Sequence, residues 1–143
     1  MRALLFAVLA LSACTTPVVE AGSANQAPLP EHIRMDLEQR EAALRQPGVR
    51  AAGIGETIDF GMGLRIRPIE VIEDSRCPQN ARCVWAGRLR LRVDMSGSPI
   101  ELTLDEPLMT PYGSVELVAV SPGPWTDWPE GGKPPYRFGF RHL

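Results

Sequence analysis

The sequence predicts an all-β fold: a small antiparallel β-sandwich or a partly open barrel, preceded by a short helix. Two observations lead to this prediction. After about residue 54 the chain becomes a series of short runs in which apolar and polar residues alternate, separated by Gly, Pro, Ser and Asn, which is typical of antiparallel strands. The roughly 90 residues of this region suit one small domain, which we place at residues 54–143.

The first residues predict a signal peptide, residues 1–13. An apolar run follows Arg2, and it is too short for a membrane-spanning helix, which needs about 20 residues. Leu-Ser-Ala stands directly before Cys14, which resembles the lipobox of bacterial lipoproteins. The resemblance implies cleavage before Cys14, diacylglycerol on its sulfur and a further acyl chain, such as palmitate, on its amine. Several chains make stable anchoring plausible, whereas one chain is marginal.

The lipobox also implies an address in the cell envelope. Thr15 stands where an aspartate would retain lipoproteins in the inner membrane of enteric bacteria, so the expected location is the outer membrane, facing the periplasm. The alternative is a secreted protein in which Cys14 is incidental. Residues 14–30 are rich in Ala, Pro, Ser and Thr, and they predict a lipidated cysteine followed by a flexible tether.

Residues 31–46 have the composition of a helix, which Pro30 precedes and Pro47 and Gly48 end. A helix would place three apolar residues in one stripe: Ile33, Leu37 and Leu44. Three anchors are few, which leaves two alternatives open. The segment is either a short helix that packs on the domain or a helical spacer that stays apart from it.

Six strands are predicted from the alternating runs, at residues 56–60, 64–73, 87–95, 99–106, 114–121 and 136–143. In the second run the alternation shifts by one residue after Pro68. Proline cannot donate to a ladder, so we expect a bulge or an edge there. In the last run Tyr136, Phe138 and Phe140 share one face, and we expect these aromatic residues in the core.

One hairpin can be argued residue by residue. A two-residue turn at Ser96 and Gly97 pairs apolar with apolar and basic with acidic residues. The expected pairs are Val93 with Ile100, Leu91 with Leu102, Leu89 with Leu104, Arg92 with Glu101, and Arg88 with Asp105. A turn shifted by one residue would set Asp94 against Glu101, a like-charge pair, so the first register is favoured.

A row of arginines follows the polar face of two predicted strands: Arg65, Arg67, Arg88, Arg90 and Arg92. The simpler interpretation is a solvated sheet face on which carboxylates across the ladder pair with the guanidinium groups. The alternative is a binding site for an anionic ligand.

Cys77 and Cys83 are expected to form a structural disulfide. An oxidising compartment favours it. A zinc site needs four ligands, usually from two such pairs, and the sequence has neither a second pair nor a nearby histidine. A thioredoxin-like pair has two residues between its cysteines, not five. We expect Trp85 to cover this disulfide from the inside.

The sequence around the cysteines, "EDSRCPQNARCVWAG", resembles an uncharacterised family of small secreted or lipid-anchored bacterial β-domains. The shared elements are Asp-Ser-Arg-Cys-Pro, a short gap and Cys-Val-Trp-Ala-Gly. The resemblance covers about residues 56–143, with its specific part at residues 69–93. It implies the domain limits and the disulfide, and it implies no activity.

Charge and motifs argue against several classes of protein. The formal net charge is −2, whereas nucleic-acid binding calls for a clustered basic excess, so no nucleic-acid partner is expected. Neither His32 nor His142 stands in a context that suggests a base beside a nucleophile, and the sequence has no phosphate loop, nucleophile elbow or metal triad. We therefore expect a non-catalytic protein without metal or cofactor.

A binding or accessory role for another envelope component is the remaining prediction. Trp125 and Trp128, with Asp127 between them, lie in a Pro/Gly-rich loop and could contact a glycan or a partner protein. The alternative is that this loop folds back and buries both indoles. Arg76 and Arg82 flank the cystine tip, which suggests a less favoured protease-inhibitor-like use. A purely structural envelope domain is the third alternative.

Overall fold

Two four-stranded antiparallel sheets form the domain in the computed structural model, which describes residues 28–143. The β-sandwich prediction is confirmed, since the sheets do not close into a barrel within these residues. The signal peptide, Cys14 and most of the tether lie outside the described residues, and these predictions stay predictions.

Within the described residues the chain runs through one helix and then eight strands. The elements are α1 (Glu31–Leu44), β1 (Val49–Gly53), β2 (Ile58–Gly61), β3 (Leu64–Asp74), β4 (Leu89–Met95), β5 (Ser98–Thr103), β6 (Pro107–Thr110), β7 (Gly113–Ser121) and β8 (Arg137–His142). The strand order is β1-β8-β7-β6 in one sheet, here the helix-covered sheet, and β2-β3-β4-β5 in the other, the arginine sheet.

The core lies between the two sheets and follows the alternation of the strands. In β4 every second residue is buried, from Leu89 to Met95, while the residues between them are half-buried. Phe138 and Phe140 of β8 are fully buried, and Tyr136 packs against the same cluster. The predicted aromatic core is therefore confirmed.

The β4–β5 hairpin has the predicted register. Val93 lies opposite Ile100 and Arg92 opposite Glu101. Ser96 and Gly97 have φ angles of 51° and 91°, and positive φ at both central residues is the geometry of a type I′ turn, which matches the twist of the strands. Alternation and turn chemistry agree here, so the local sequence determines the pairing.

The expected pair of Arg88 with Asp105 is wrong. Asp105 has a positive φ of 63° and its N–H donates to the carbonyl of Leu117 in the other sheet. The chain thus leaves the arginine sheet before Asp105 can face Arg88. Arg88 instead donates to Glu73 of β3, at 3.0 Å.

The predicted irregularity at Pro68 is confirmed. The β3–β4 register shifts between Pro68 and Glu70 and again between Val71 and Glu73. The proline ring leaves the ladder without a donor, and a bulge accommodates it.

α1 packs on the outer face of the helix-covered sheet, which decides between the two alternatives for this segment. Ile33 and Leu44 are buried. The packing needs a glycine in β8, because a Cβ at Gly139 would lie 3.0 Å from Leu44 and 2.9 Å from Val49. No helix in residues 28–143 combines the length and apolar character that crossing a membrane requires.

The β structure begins at Val49, earlier in the chain than the predicted residue 54. β1, at Val49–Gly53, pairs with the last strand along its whole length. Its sequence, Val-Arg-Ala-Ala-Gly, has no clear alternation because α1 and the core cover it from both sides. β6 was likewise not predicted as a separate strand.

The four edge strands are short or interrupted. β1, β2, β5 and β6 have 5, 4, 6 and 4 residues. Pro99 lies in β5, Pro107 opens β6, and the β2 ladder shifts register between Asp59 and Gly61.

Candidate functional site

The segment between β3 and β4, residues 75–88, is here the cystine loop. Its base continues the strand pair, because the N–H of Ser75 donates to the carbonyl of Arg88 at 2.9 Å and the N–H of Cys77 to that of Ala86 at 2.8 Å. Gly87 permits this approach. Its φ is +67°, and a Cβ there would lie 1.7 Å from the carbonyl oxygen of Ser75, so a side chain cannot fit.

Cys77 and Cys83 form the predicted disulfide, with their Cα atoms 5.9 Å apart. In residues 28–143 no three His, Cys, Asp or Glu side chains are grouped so that they could hold a metal ion. The disulfide therefore closes a small ring at the end of the cystine loop.

The ring packs on the Pro/Gly-rich segment of residues 122–135, here the tryptophan loop. The N–H of Gln79 donates to the carbonyl of Pro124 at 2.8 Å. The side-chain amide of Asn80 donates to Thr126 Oγ1 and to Asp127 Oδ1, both at 2.9 Å. The two loops thus form one continuous end of the sandwich.

Trp85 does not cover the disulfide, and that prediction is wrong. Its side chain is 79% exposed, and the preceding Val84 is fully exposed. The ring packs through Gln79 and Asn80 against the tryptophan loop, and that long-range contact replaces the expected one with Trp85. Two adjacent apolar side chains are consequently presented to solvent.

The tryptophan loop folds back, as the second alternative for Trp125 and Trp128 predicted. Both indoles are half-buried. The N–H of Trp125 donates to Asp36 of α1 at 3.0 Å, and its ring lies 4.7 Å from that of His32. Trp128 Nε1 is buried without a hydrogen-bond partner in the described residues.

Asp127 connects three parts of the molecule. One of its oxygens lies 2.8 Å from His32 Nε2 on α1, and the other accepts from Asn80 of the cystine loop. These contacts hold the loops on the N-terminal part of α1. His142 lies elsewhere, with its Nε2 2.6 Å from the carbonyl oxygen of Tyr112.

The two arginines of the cystine loop differ in their surroundings. Arg76 is largely buried and donates to both oxygens of Asp74, at 2.7 and 2.8 Å. It also reaches the carbonyl of Pro122, at 3.4 Å. Arg82 is exposed on the disulfide ring. Arg76 thus serves to hold the loops together, and only Arg82 faces solvent.

The arginine row lies on the outer face of its sheet, and within residues 28–143 four of its five members, all except Arg65, pair with carboxylates. Arg67 contacts Asp94 at 3.3 Å, and Arg90 and Arg92 both donate to Glu101. The hydrogen bond from Arg90 is the largest cause that lowers the pKa of Glu101. This pairing matches the simpler interpretation of the row for Arg67, Arg90 and Arg92.

A hollow of about 340 Å³ lies beside the exposed indole of Trp85. Its other lining residues are Glu73, Ser75, Ala86, Gly87 and Arg88. Glu73 accepts from Ser75 Oγ at 2.8 Å and from Arg88 Nε at 3.0 Å. The hydrogen bond from Ser75, followed by that from Arg88, lowers the pKa of Glu73, so the carboxylate is ionised at neutral pH.

A second hollow, of about 630 Å³, lies between α1 and the two loops and is lined in part by His32, Asp36, Gln79 and Trp125. Several of its polar groups already bond to one another, as Trp125 does to Asp36. The hollow beside Trp85 differs, since the two Nη atoms of Arg88 have no hydrogen-bond partner within residues 28–143.

The protein is thus a β-sandwich with a disulfide in its cystine loop, and that loop exposes the indole of Trp85. The chain matches no protein-family model, no curated protein and no solved structure. Its function is therefore argued from the site. The sequence analysis did not predict Val84, Trp85 or Glu73 as parts of that site, and it named Arg88 only as a member of the arginine row. The signal available for Val84 was its place directly before Trp85 in an otherwise polar loop.

Proposed function

We propose that this chain is a lipid-anchored envelope protein whose β-domain is a non-catalytic binding module, and that it binds through the cystine loop. One observation carries the proposal: Val84 and Trp85 are both exposed, next to each other, on a loop that a disulfide and hydrogen bonds hold in place. The exposed Trp and the adjacent exposed Val form one small apolar patch, and exposed apolar patches can mark sites of interaction.

Covering these side chains supplies binding free energy. A tryptophan buries about 150–250 Å² at an interface, and part of the transfer free energy of that area remains as binding free energy after the entropic costs of association. The disulfide and the backbone hydrogen bonds at the base of the cystine loop restrict its conformations, which reduces the conformational entropy that the loop loses on binding. The cystine loop can therefore hold a ligand through a small number of its own residues.

This proposal moves the binding site from the predicted tryptophan loop to the cystine loop. Trp125 and Asp127 are engaged with α1 and Asn80, and Arg76 is engaged with Asp74. These residues support the site, and of the predicted binding residues Arg82 remains beside it. The protease-inhibitor-like use loses support because the ring lies against the tryptophan loop. A purely structural domain would have no need of an exposed Trp85.

Photo-crosslinking from position 84 tests the proposal. A Val84→benzoylphenylalanine variant of the full chain, illuminated in the cells that naturally produce it, should form a discrete adduct with protein, lipid or glycan. Adding Trp85→Ala to the same chain should remove most of that adduct, because Trp85 supplies the larger contact area.

The matched control places the same photoreactive residue at Met62, which is 85% exposed and lies in the β2–β3 turn. Equal adducts from positions 62 and 84, or an adduct at 84 that Trp85→Ala leaves unchanged, would contradict the proposal. Absence of any adduct at 84 would contradict it as well.

A further inference from the structure

The geometry points to a saccharide as the ligand of the hollow beside Trp85. This inference rests on the binding module proposed above and names its ligand class. A pyranose ring has an apolar C–H face and a rim of hydroxyl groups. The hollow offers the complementary arrangement, an open aromatic plane with fixed charged groups beside it.

The indole of Trp85 supplies the aromatic plane. The indole of Trp85 is 79% exposed and borders a hollow of about 340 Å³, within the range of volumes that small-ligand sites have, about 300–1,000 Å³. A large, rigid aromatic ring with an open face can stack on the C–H face of a sugar and loses little conformational entropy in doing so.

Polar groups of Glu73 and Arg88 lie beside this aromatic plane. Glu73 accepts hydrogen bonds from Ser75 Oγ and from Arg88 Nε, which orient its carboxylate towards the hollow's rim of donors. Arg88 keeps its Nη donors open within residues 28–143. Hydroxyl groups of a sugar can accept from these donors and donate to the remaining lone pairs of the Glu73 carboxylate. Preorganised groups of this kind give orientation to a weakly apolar ligand.

The charges favour a saccharide over a protein surface or a lipid surface. The core of a protein interface is depleted of charged residues and covers about 800 Å² on each partner, whereas the apolar surface here is two side chains bordered by Glu73 and Arg88. The ion pair of Glu73 with Arg88 has no net charge, so it adds no electrostatic attraction to an anionic membrane surface.

Saturation-transfer NMR on the full chain in detergent micelles tests the inference. The probes are tetrasaccharides of β-1,4-linked glucose, of β-1,4-linked N-acetylglucosamine and of a uronic acid. At least one should bind with a Kd of about 1 mM or below, with saturation transferred most strongly to C–H protons on one face of a ring.

Four variants separate the roles of the residues. Trp85→Ala should weaken binding at least about tenfold, as expected for a hot-spot aromatic residue, whereas Trp85→Phe should retain most of the affinity. Arg88→Gln should weaken binding about three- to tenfold, the loss of a hydrogen bond from a charged donor. Met62→Ala, which removes an exposed apolar side chain elsewhere, should bind as the parent does.

Two results would overturn the inference that the ligand is a saccharide. One is the absence of binding by all three probes, and the other is binding that Trp85→Ala leaves unchanged. A protein or lipid adduct at position 84 without saccharide binding would overturn this inference and leave the binding module standing. Failure of both experiments would overturn both.

Discussion

At the scale of single residues, a partly buried cluster beside the cystine loop joins the end of β3 to the residue before β8. The hydroxyl of Tyr136 donates to Asp74 at 2.6 Å. Burial, reinforced by this hydrogen bond, raises the pKa of Tyr136 to about 12. Burial alone would also raise the pKa of Asp74, but the hydrogen bonds from Arg76 and Tyr136 outweigh it and hold that pKa below its usual value.

Tyr136 should make the protein sensitive to alkali. An unfolded tyrosine ionises near pH 10, whereas the folded residue stays neutral to about pH 12. The stability that Tyr136 contributes is thus complete below pH 10 and is lost as the pH rises from 10 towards 12. The Tyr136→Phe variant should lack this part of the decline, measured as the free energy of urea unfolding between pH 9 and 12.

Tyr112→Phe is the matched control, since Tyr112 is partly exposed and lies in the β6–β7 turn. It should decline with pH as the parent does. An equally steep decline in Tyr136→Phe and the parent would show that the Tyr136 hydroxyl is not responsible.

At acid pH Asp74 acts in the opposite sense. The stability that its carboxylate contributes is present above the ordinary pKa of an aspartate and is lost as the pH falls through the lowered pKa of Asp74.

The residue scale also shows the limit of prediction from sequence. Phe138 and Phe140 were predicted in the core because alternation determines the face of a strand. The exposure of Trp85 was not predicted, because it depends on where the disulfide ring packs. That is decided by Asn80 and Thr126, which are 46 residues apart in the chain, and no local pattern reports such a contact.

At the scale of elements, the disulfide determines the shape of the cystine loop more than the stability of the sandwich. The core residues of β4 are buried between the two sheets, in a cluster that does not include the ring. Gln79 and Asn80, by contrast, reach the tryptophan loop from within the ring that Cys77 and Cys83 close. Opening the ring should therefore loosen both loops together.

A Cys77→Ser, Cys83→Ser double variant tests this coupling. The free energy of unfolding should fall by about 2–3 kcal/mol, the loop-closure contribution of a short ring. Amide hydrogen exchange should accelerate in residues 77–83 and 124–127 and remain unchanged in β4.

The control for the double variant is Ser98→Ala in the β4–β5 hairpin, which should leave exchange in both loops as it is. Unchanged exchange in residues 124–127 of the double variant would mean that the tryptophan loop holds its position without the ring.

Elements with strong alternation were predictable and weakly patterned ones were not. The β4–β5 register follows from its sequence alone. β1 was missed because its small residues are covered from both sides, and the packing of α1 could not be decided from three apolar residues. That packing depends on the absence of a side chain at Gly139, more than 90 residues further along the chain.

At the scale of the whole molecule, the N-terminal part of α1 lies at the end of the sandwich that carries the proposed site. His32 contacts Asp127, which in turn binds Asn80 of the cystine loop. If Cys14 is lipidated as the lipobox implies, the module is attached to the membrane through the segment that leads into this end.

Metabolic labelling with a radioactive or alkyne-bearing fatty acid tests the anchor. The full chain should carry the label, and Cys14→Ala should lose it and leave the membrane fraction, because no acyl chain remains to hold it. Thr15→Ala should keep the label. A label that persists in Cys14→Ala would end the lipoprotein prediction, whatever the outcome of the binding experiments.

The edges of the two sheets have a consequence for many copies held on one surface. Open strand edges invite pairing between neighbouring chains, and crowding in two dimensions favours such contacts. Here each edge strand is at most six residues long, and Pro99, Pro107 and the irregularity in β2 interrupt the row of free N–H donors. If the chain is lipid-anchored as we propose, these edges would oppose the pairing of its sheets with those of neighbouring copies.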